Sequence, residues 1–222
     1  MSPVSDAEIT RRLPAQTLKP THRNMQHILL SRLKHDTAAS HTRLENALDL
    51  MRDDMQRDEY IVLLERFHGY VAPWEDAVAA ALPASLAGFF DARRKTALLA
   101  ADLAVLTGER DAIVPPATRD LPALPNIGAA FGSLYVMEGS TLGGRFIAPH
   151  IARLLDLAPR QGNAYFDAYG DRTGSMWNAF RDTAAATVPE SQYDDAVQAA
   201  IATFDGLQAW LCSAPLEAQA AA

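Results

Sequence analysis

His41 is the residue whose type and neighbours best suit it to chemistry. Leu29, Leu33, Thr37, His41, Leu44 and Leu48 follow one another at spacings of four, four, four, three and four residues. That spacing puts them on one face of a helix. A histidine in the middle of an apolar stripe either finds a buried hydrogen-bond partner or binds something. Glu45 stands one turn further on. It can accept one ring N–H and leave the other nitrogen as an oriented, electron-rich ligand. Spacing alone leaves both readings open. His27 and His68 are formal competitors, whereas His35, six residues before His41, points away from it on the same helix.

The second unusual feature is a run of glycines, Gly139, Gly143 and Gly144, inside a stretch of helical pattern from 126 to about 157. Each glycine in a helix interior costs roughly 1 kcal/mol relative to alanine, so something must compensate. Gly139 and Gly143 are four residues apart and share a face. They permit either a close helix–helix approach or a close approach of the backbone to a ligand.

The elements that must position these residues read as helices throughout. One is expected from 25 to 52. A second begins near Asp58, a candidate N-cap, and carries Leu63, Phe67 and Tyr70 until Pro73 interrupts it. A third covers 85–107 and stops at Gly108. Pro115, Pro116, Pro122 and Pro125 mark a loop. After the glycine-bearing helix, one more starts at Thr173 or Ser175. The last carries Val197, Ala200, Ile201, Phe204, Leu207 and Leu211. No alternating strand pattern of useful length is present, so the expected class is all-α, with one core. Residues 1–24 read as a polar arm, 25–212 as the folded domain and 213–222 as a tail.

Bulk properties narrow the partners. Among 222 residues, 49% are hydrophobic and 21% charged, with a net charge of −7. An acidic balance argues against nucleic-acid or anionic-membrane partners, which need a basic surface. No apolar run approaches the roughly 18 residues of a membrane-spanning helix, and the first residues show no secretory pattern. Cys212 is the single cysteine. No intrachain disulfide is possible, and a cytoplasmic location is expected.

Residues 33–46, with Leu33-Lys34, Thr37, His41 and Glu45-Asn46, resemble the proximal-histidine helix of haem oxygenases. Residues 135–144, Tyr-Val-Met-Glu-Gly-Ser-Thr-Leu-Gly-Gly, resemble the distal helix of that family in its bacterial form. The resemblance also takes in residues 65–75 and extends over about 28–210. It implies an all-α fold with haem sandwiched between a proximal helix and a kinked distal helix. His41 would be the iron ligand and Glu45 its orienting partner. A neutral histidine ligand suits oxygen binding and activation. Gly139, Ser140, Gly143 and Gly144 would form the distal side, where bare backbone lies against the macrocycle and leaves room for oxygen. Ser140 stands where mammalian-type members have an aspartate, so hydroxyl, carbonyls and ordered water must supply its role. Lys34 matches a lysine that meets a haem propionate, and Arg181 lies in a segment, 176–181, that resembles the source of further cationic contacts. Ala38 stands where some members have a second lysine.

The implied activity is oxidative cleavage of haem b to biliverdin, carbon monoxide and ferrous iron, using O2 and an external electron donor. The donor would be a reductase, a ferredoxin or a flavodoxin-type protein. The product would serve iron acquisition or a phytochrome receiving biliverdin. Two rivals stand beside it: a haem carrier or sensor on the same fold without turnover, and an all-α relative acting on another small molecule, such as a thiamin-degrading type. Glu138 reads as an exposed helical glutamate. Arg93, Arg94 and Lys95 read as a solvated basic cluster, with docking of an acidic electron carrier as the functional alternative.

Overall fold

The computed structural model describes residues 22–108 and 120–213, with side chains from residue 28 onward. The described residues form eight α-helices and no β-strand. Of the expected polar arm, residues 1–21 lie outside the described residues, and 22–24 already belong to the first helix. Pro115, Pro116 and most of the expected tail also lie outside them.

The stretch expected as one helix from 25 to 52 is two, α1 (His22–Asp36) and α2 (Ala38–Leu48). Thr37 divides them. Its hydroxyl donates to the Leu33 carbonyl at 2.6 Å, and its own N–H reaches the same oxygen at 3.1 Å. Such back-bonding bends helices. The helical hydrogen bonds nonetheless cross the break, because His41 N–H donates to the Thr37 carbonyl at 2.9 Å. The apolar stripe therefore survives: Leu29, Leu33, Thr37 and Leu44 are all buried. The second helix ends before Arg52 because Asp49 adopts a left-handed conformation, φ 41°, with its N–H on the Glu45 carbonyl.

Helix α3 (Arg57–Ala81) is capped by Gln56 and not by Asp58. The Gln56 N–H donates to the Glu59 carboxylate at 2.8 Å. Nor does Pro73 interrupt it; the helix continues for eight more residues. A proline inside a helix costs about 3 kcal/mol, but the residues around it, Tyr70, Val71, Trp74 and Val78, are fully packed. Burying side chains of that size offsets the loss at about 1.5–3 kcal/mol each.

The expected helix over 85–107 is broken into α4 (Ala87–Asp91) and α5 (Thr96–Thr107). The break lets a buried carboxylate from another helix cap α5. Glu75 of α3 accepts the N–H groups of Lys95 at 2.5 Å and Thr96 at 3.2 Å, and the Thr96 hydroxyl at 2.9 Å. Helix α5 ends at Gly108, φ 75°.

Helix α6 (Ile127–Leu154) is the central element. Asn126 caps it, accepting the Ala129 N–H at 3.0 Å. It packs most extensively on α8 (Tyr193–Leu211), and also on α3 and α7 (Thr173–Thr187). A buried polar chain fixes its position. The Trp74 indole N–H donates to Ser133 Oγ at 2.8 Å, and that oxygen lies 2.8 Å from Thr203 Oγ1. The chain joins α3, α6 and α8 through the core. Helix α2 also packs on α8, and α1 packs on α7. Helices α7 and α8 thus pack against both the histidine-bearing pair α1 and α2 and the glycine-bearing α6.

Candidate functional site

His41 sits on α2 with its side chain 54% exposed, unlike its buried neighbours on the stripe. Its Nε2 lies 3.3 Å from Glu45 Oε1, one helical turn away, as the spacing requires. Its ring meets Phe204 of α8, with centroids 5.5 Å apart and planes tilted by 48°. The carboxylate and the phenyl ring restrain the imidazole from two sides, and Nδ1 has no partner among the described residues. This is not a satisfied core histidine. The competitor His68 is half-buried, and burial pushes its pKa down; His150 is occupied by the Arg52 carbonyl at 3.1 Å. The side chain of His27 lies outside the described residues.

The glycines of α6 separate by face. A methyl group added at Gly143 would meet nothing within 4 Å, and one at Gly139 would only touch the Trp177 ring at 4.0 Å. Gly144 is different. It is buried, and an added methyl would overlap the Phe166 carbonyl. One residue further round the helix is a turn of about 100°, enough to move Gly144 from the open face to the packed one. Of the four residues expected on the distal side, Gly144 thus lies on the packed face of the helix, apart from Gly139 and Gly143. Ser140 is exposed, and its hydroxyl donates to the Met137 carbonyl at 3.0 Å. Its proton is engaged within the helix, leaving the oxygen as an acceptor.

The open face of α6 holds residues that the motif reading passed over. Leu142 and Phe146 stand with Gly139 and Gly143 at helical spacing, and Phe146 is 70% exposed. Trp177 of α7 closes one edge, stacked on Phe180 at 5.3 Å and tilted against Tyr135 at 5.8 Å. Phe146 was detectable in the sequence, lying seven residues after Gly139 and three after Gly143. Phe204 was not, because its approach to His41 is made between separate helices.

The charged residues rearrange the expectations further. Lys34 is exposed in the last turn of α1, and Arg181 is exposed on α7. These two helices pack together, so the two cations stand on neighbouring elements. Glu138, expected to be exposed, is 1% exposed. The expected solvated cluster is also corrected: Arg93 and Lys95 are each 4% exposed. Lys95 Nζ lies 2.8 Å and Arg93 Nε 3.2 Å from the Glu138 carboxylate. Buried charges persist where they neutralise each other, so these two residues offer no docking surface. Arg94 alone is partly exposed, against Asp91 and Glu75.

A flat apolar disc carrying its own iron fits these features. Among the described residues no group of three or more His, Cys, Asp or Glu side chains could hold a metal ion. His41 is a single ligand, which suits an iron whose other donors belong to a macrocycle. The apolar face of α6, relieved of side chains at two positions, suits a planar ring, and exposed cations suit carboxylate tails. No helix among the described residues is long and apolar enough to cross a membrane.

Comparisons with known proteins agree with this reading. Over 91 residues the chain is 40% identical to the heme oxygenase of Xanthomonas campestris pv. campestris (strain 8004), a match covering 41% of this chain and 52% of that relative. It therefore spans about half the length of the curated relative. The structure of heme oxygenase from Leptospira interrogans superposes with a TM-score of 0.64 at 17% identity, covering 83% of this chain and 98% of that one. That likeness concerns the fold. The family profile described as heme oxygenase matches residues 27–212. With so much of its length matched, the chain belongs to the haem oxygenase family.

Proposed function

We propose that this chain is a haem oxygenase that cleaves haem oxidatively to biliverdin, carbon monoxide and ferrous iron, using O2 and reducing equivalents from an external donor. The observation that carries this reading is His41, exposed on an otherwise buried stripe and restrained by Glu45 and Phe204. Haem, when bound, supplies the iron that activates oxygen and is itself the molecule consumed.

The chain's own residues do the rest. His41 offers one ring nitrogen to iron while Glu45 accepts the proton of the other, keeping the ligand neutral and oriented. Gly139 and Gly143 let the α6 backbone come close to the ring, and Leu142, Phe146 and Trp177 supply apolar contact that excludes water. Ser140, its proton held by the Met137 carbonyl, accepts a hydrogen bond from water at the edge of that face. Lys34 and Arg181 bind the propionates and set the in-plane rotation of the ring. The electron donor is a reductase, a ferredoxin or a flavodoxin-type protein, and a phytochrome is the proposed recipient of biliverdin. The proposed setting is the cytoplasm of a bacterium.

The test is anaerobic loading with haemin, followed by reductant and oxygen under spectroscopic observation. Conversion of the Soret band to a bilin spectrum supports the enzyme. A stable Soret band that survives reductant and oxygen supports a carrier or sensor instead. Absence of haem binding removes both.

A further inference from the structure

Directly beneath the open face of α6 lies the most heavily charged buried cluster among the described residues. Glu138 immediately precedes Gly139. Its Oε1 accepts from Lys95 Nζ at 2.8 Å and from the Tyr169 hydroxyl at 2.7 Å. Arg93 Nε approaches Oε2 at 3.2 Å. That approach lacks hydrogen-bond alignment and leaves both atoms without another partner, so attraction between the charges holds it. Arg93 also reaches outward. Its two Nη atoms donate to the Phe89 carbonyl at 2.7 Å and the Met176 carbonyl at 3.3 Å, and its guanidinium lies 3.7 Å over the Phe89 ring. Lys95 is held in turn by the Arg93 carbonyl at 3.0 Å, and its backbone N–H by Glu75. Arg93 and Lys95 share the carboxylate of Glu138, and the neighbouring carboxylate of Glu75 faces the partly exposed Arg94.

The placement of these bonds matters more than their number. Through Glu138 the cluster grips α6 one residue before the first open-face glycine. Through the Met176 carbonyl it grips α7 one residue before Trp177, the ring that a methyl group added at Gly139 would touch. Apolar packing holds α6 through non-directional contacts, to which hydrogen bonds add a directional constraint on its height and rotation. A carboxylate held by two directional hydrogen bonds and one ion pair adds such a constraint. We infer that Glu138, Arg93, Lys95 and Tyr169 form a positioning clamp that sets the glycine face of α6 and the Trp177 edge as one unit, and so governs how haem is seated. Its residues are positioning residues, acting through Gly139 and Trp177. The inference rests on the proposed haem reading for its ligand, but not for its geometry.

The test uses two variants of the full chain labelled with 5-fluorotryptophan. Arg93→Lys keeps the charge facing Glu138 but lacks the planar fork that reaches Phe89 and Met176. The double variant Glu138→Gln with Lys95→Met removes one charge of each sign, so the net charge is that of the parent, and the amide keeps the shape of the Glu138 side chain. Fluorine spectra without haem report on Trp177, assigned through Trp177→Phe. Trp210, bonded to the Arg66 carbonyl far from the cluster, is the internal control. The expected result is a displaced Trp177 resonance with Trp210 unmoved in both variants, and haemin affinity lowered about two- to thirtyfold while the double variant melts near the parent temperature. An unmoved Trp177 resonance, or a displaced one with unchanged haemin affinity, overturns the inference. If the parent chain fails to bind haemin, the functional reading falls, and the fluorine spectra still decide whether the clamp exists.

Discussion

Helix α6 carries two kinds of glycine, and the contrast between its faces separates packing from function. Gly132 and Gly144 lie against backbone: an added methyl at the first would overlap the Ala196 carbonyl, and at the second the Phe166 carbonyl. Gly139 and Gly143 meet almost nothing. On the packed face, glycine is there because another part of the chain occupies the space. On the open face no described residue requires it, yet the helix bears the same propensity cost of roughly 1 kcal/mol per residue. The charges follow the same division. Glu138 is sealed among cations on the packed side, while the open side presents the exposed side chains of Leu142 and Phe146. An expense of stability with no internal beneficiary is what a ligand surface predicts.

The comparison breaks most decisively at His41. In His41→Ala, haemin should give a ferric spectrum different from that of the parent, and bilin formation should disappear. Added imidazole should restore part of it. The melting temperature should stay nearly unchanged, because the lost side chain is exposed. An unchanged spectrum and rate would place the ligand elsewhere.

Stability should separate the two faces next. Gly144→Ala pushes a methyl into backbone and should destabilise by about 1–3 kcal/mol, the usual range for overpacking. Gly143→Ala enters open space and should stabilise by up to about 1 kcal/mol through helix propensity. Urea unfolding of the two variants checks the opposite signs, and equal signs would erase the distinction between the faces.

Gly143→Leu sharpens it on the binding side. The circular dichroism should remain that of the parent, while haemin affinity falls about tenfold or more as the side chain fills the ligand's space. Retained affinity and activity would make this face a solvent surface.

The smallest effect belongs to the rim. Exposed ion pairs are worth about 0.2–1 kcal/mol, so Lys34→Ala and Arg181→Ala should each weaken haemin binding by about fivefold at most. Their larger consequence should be the ratio of biliverdin isomers, separable by chromatography, since a small difference between two seated orientations shifts their populations. An unchanged ratio and affinity in the double variant would assign the propionates to other residues.

Much of this was legible from residue order. The spacing from Leu29 to Leu48 determined which face of α1 and α2 is buried, and it put Glu45 one turn from His41, because a helix repeats locally whatever surrounds it. Gly108 as a helix stop and Thr173 as a helix start follow from the same local rules. The division of residues 25–52 at Thr37, the continuation through Pro73 and the break between α4 and α5 did not. Each depends on a partner remote in the chain or on competition for a single carbonyl. Buried neighbours support Pro73, and Glu75, twenty-one residues away, caps the helix that begins at Thr96.

The site divides in the same manner. Residue types and spacing singled out His41, Glu45, Gly139 and Gly143 as unusual, since all four lie on helices whose faces are set by the 3.6-residue turn, and the resemblance to haem oxygenases supplied the roles proposed for them. Only the tertiary structure decided that Gly144 packs against Phe166, that Phe204 meets the imidazole and that Glu138, Arg93 and Lys95 are buried together. A charged residue in a sequence carries no mark of whether water or an opposite charge will solvate it. That depends on which segments converge on it, and convergence is a property of the folded chain as a whole.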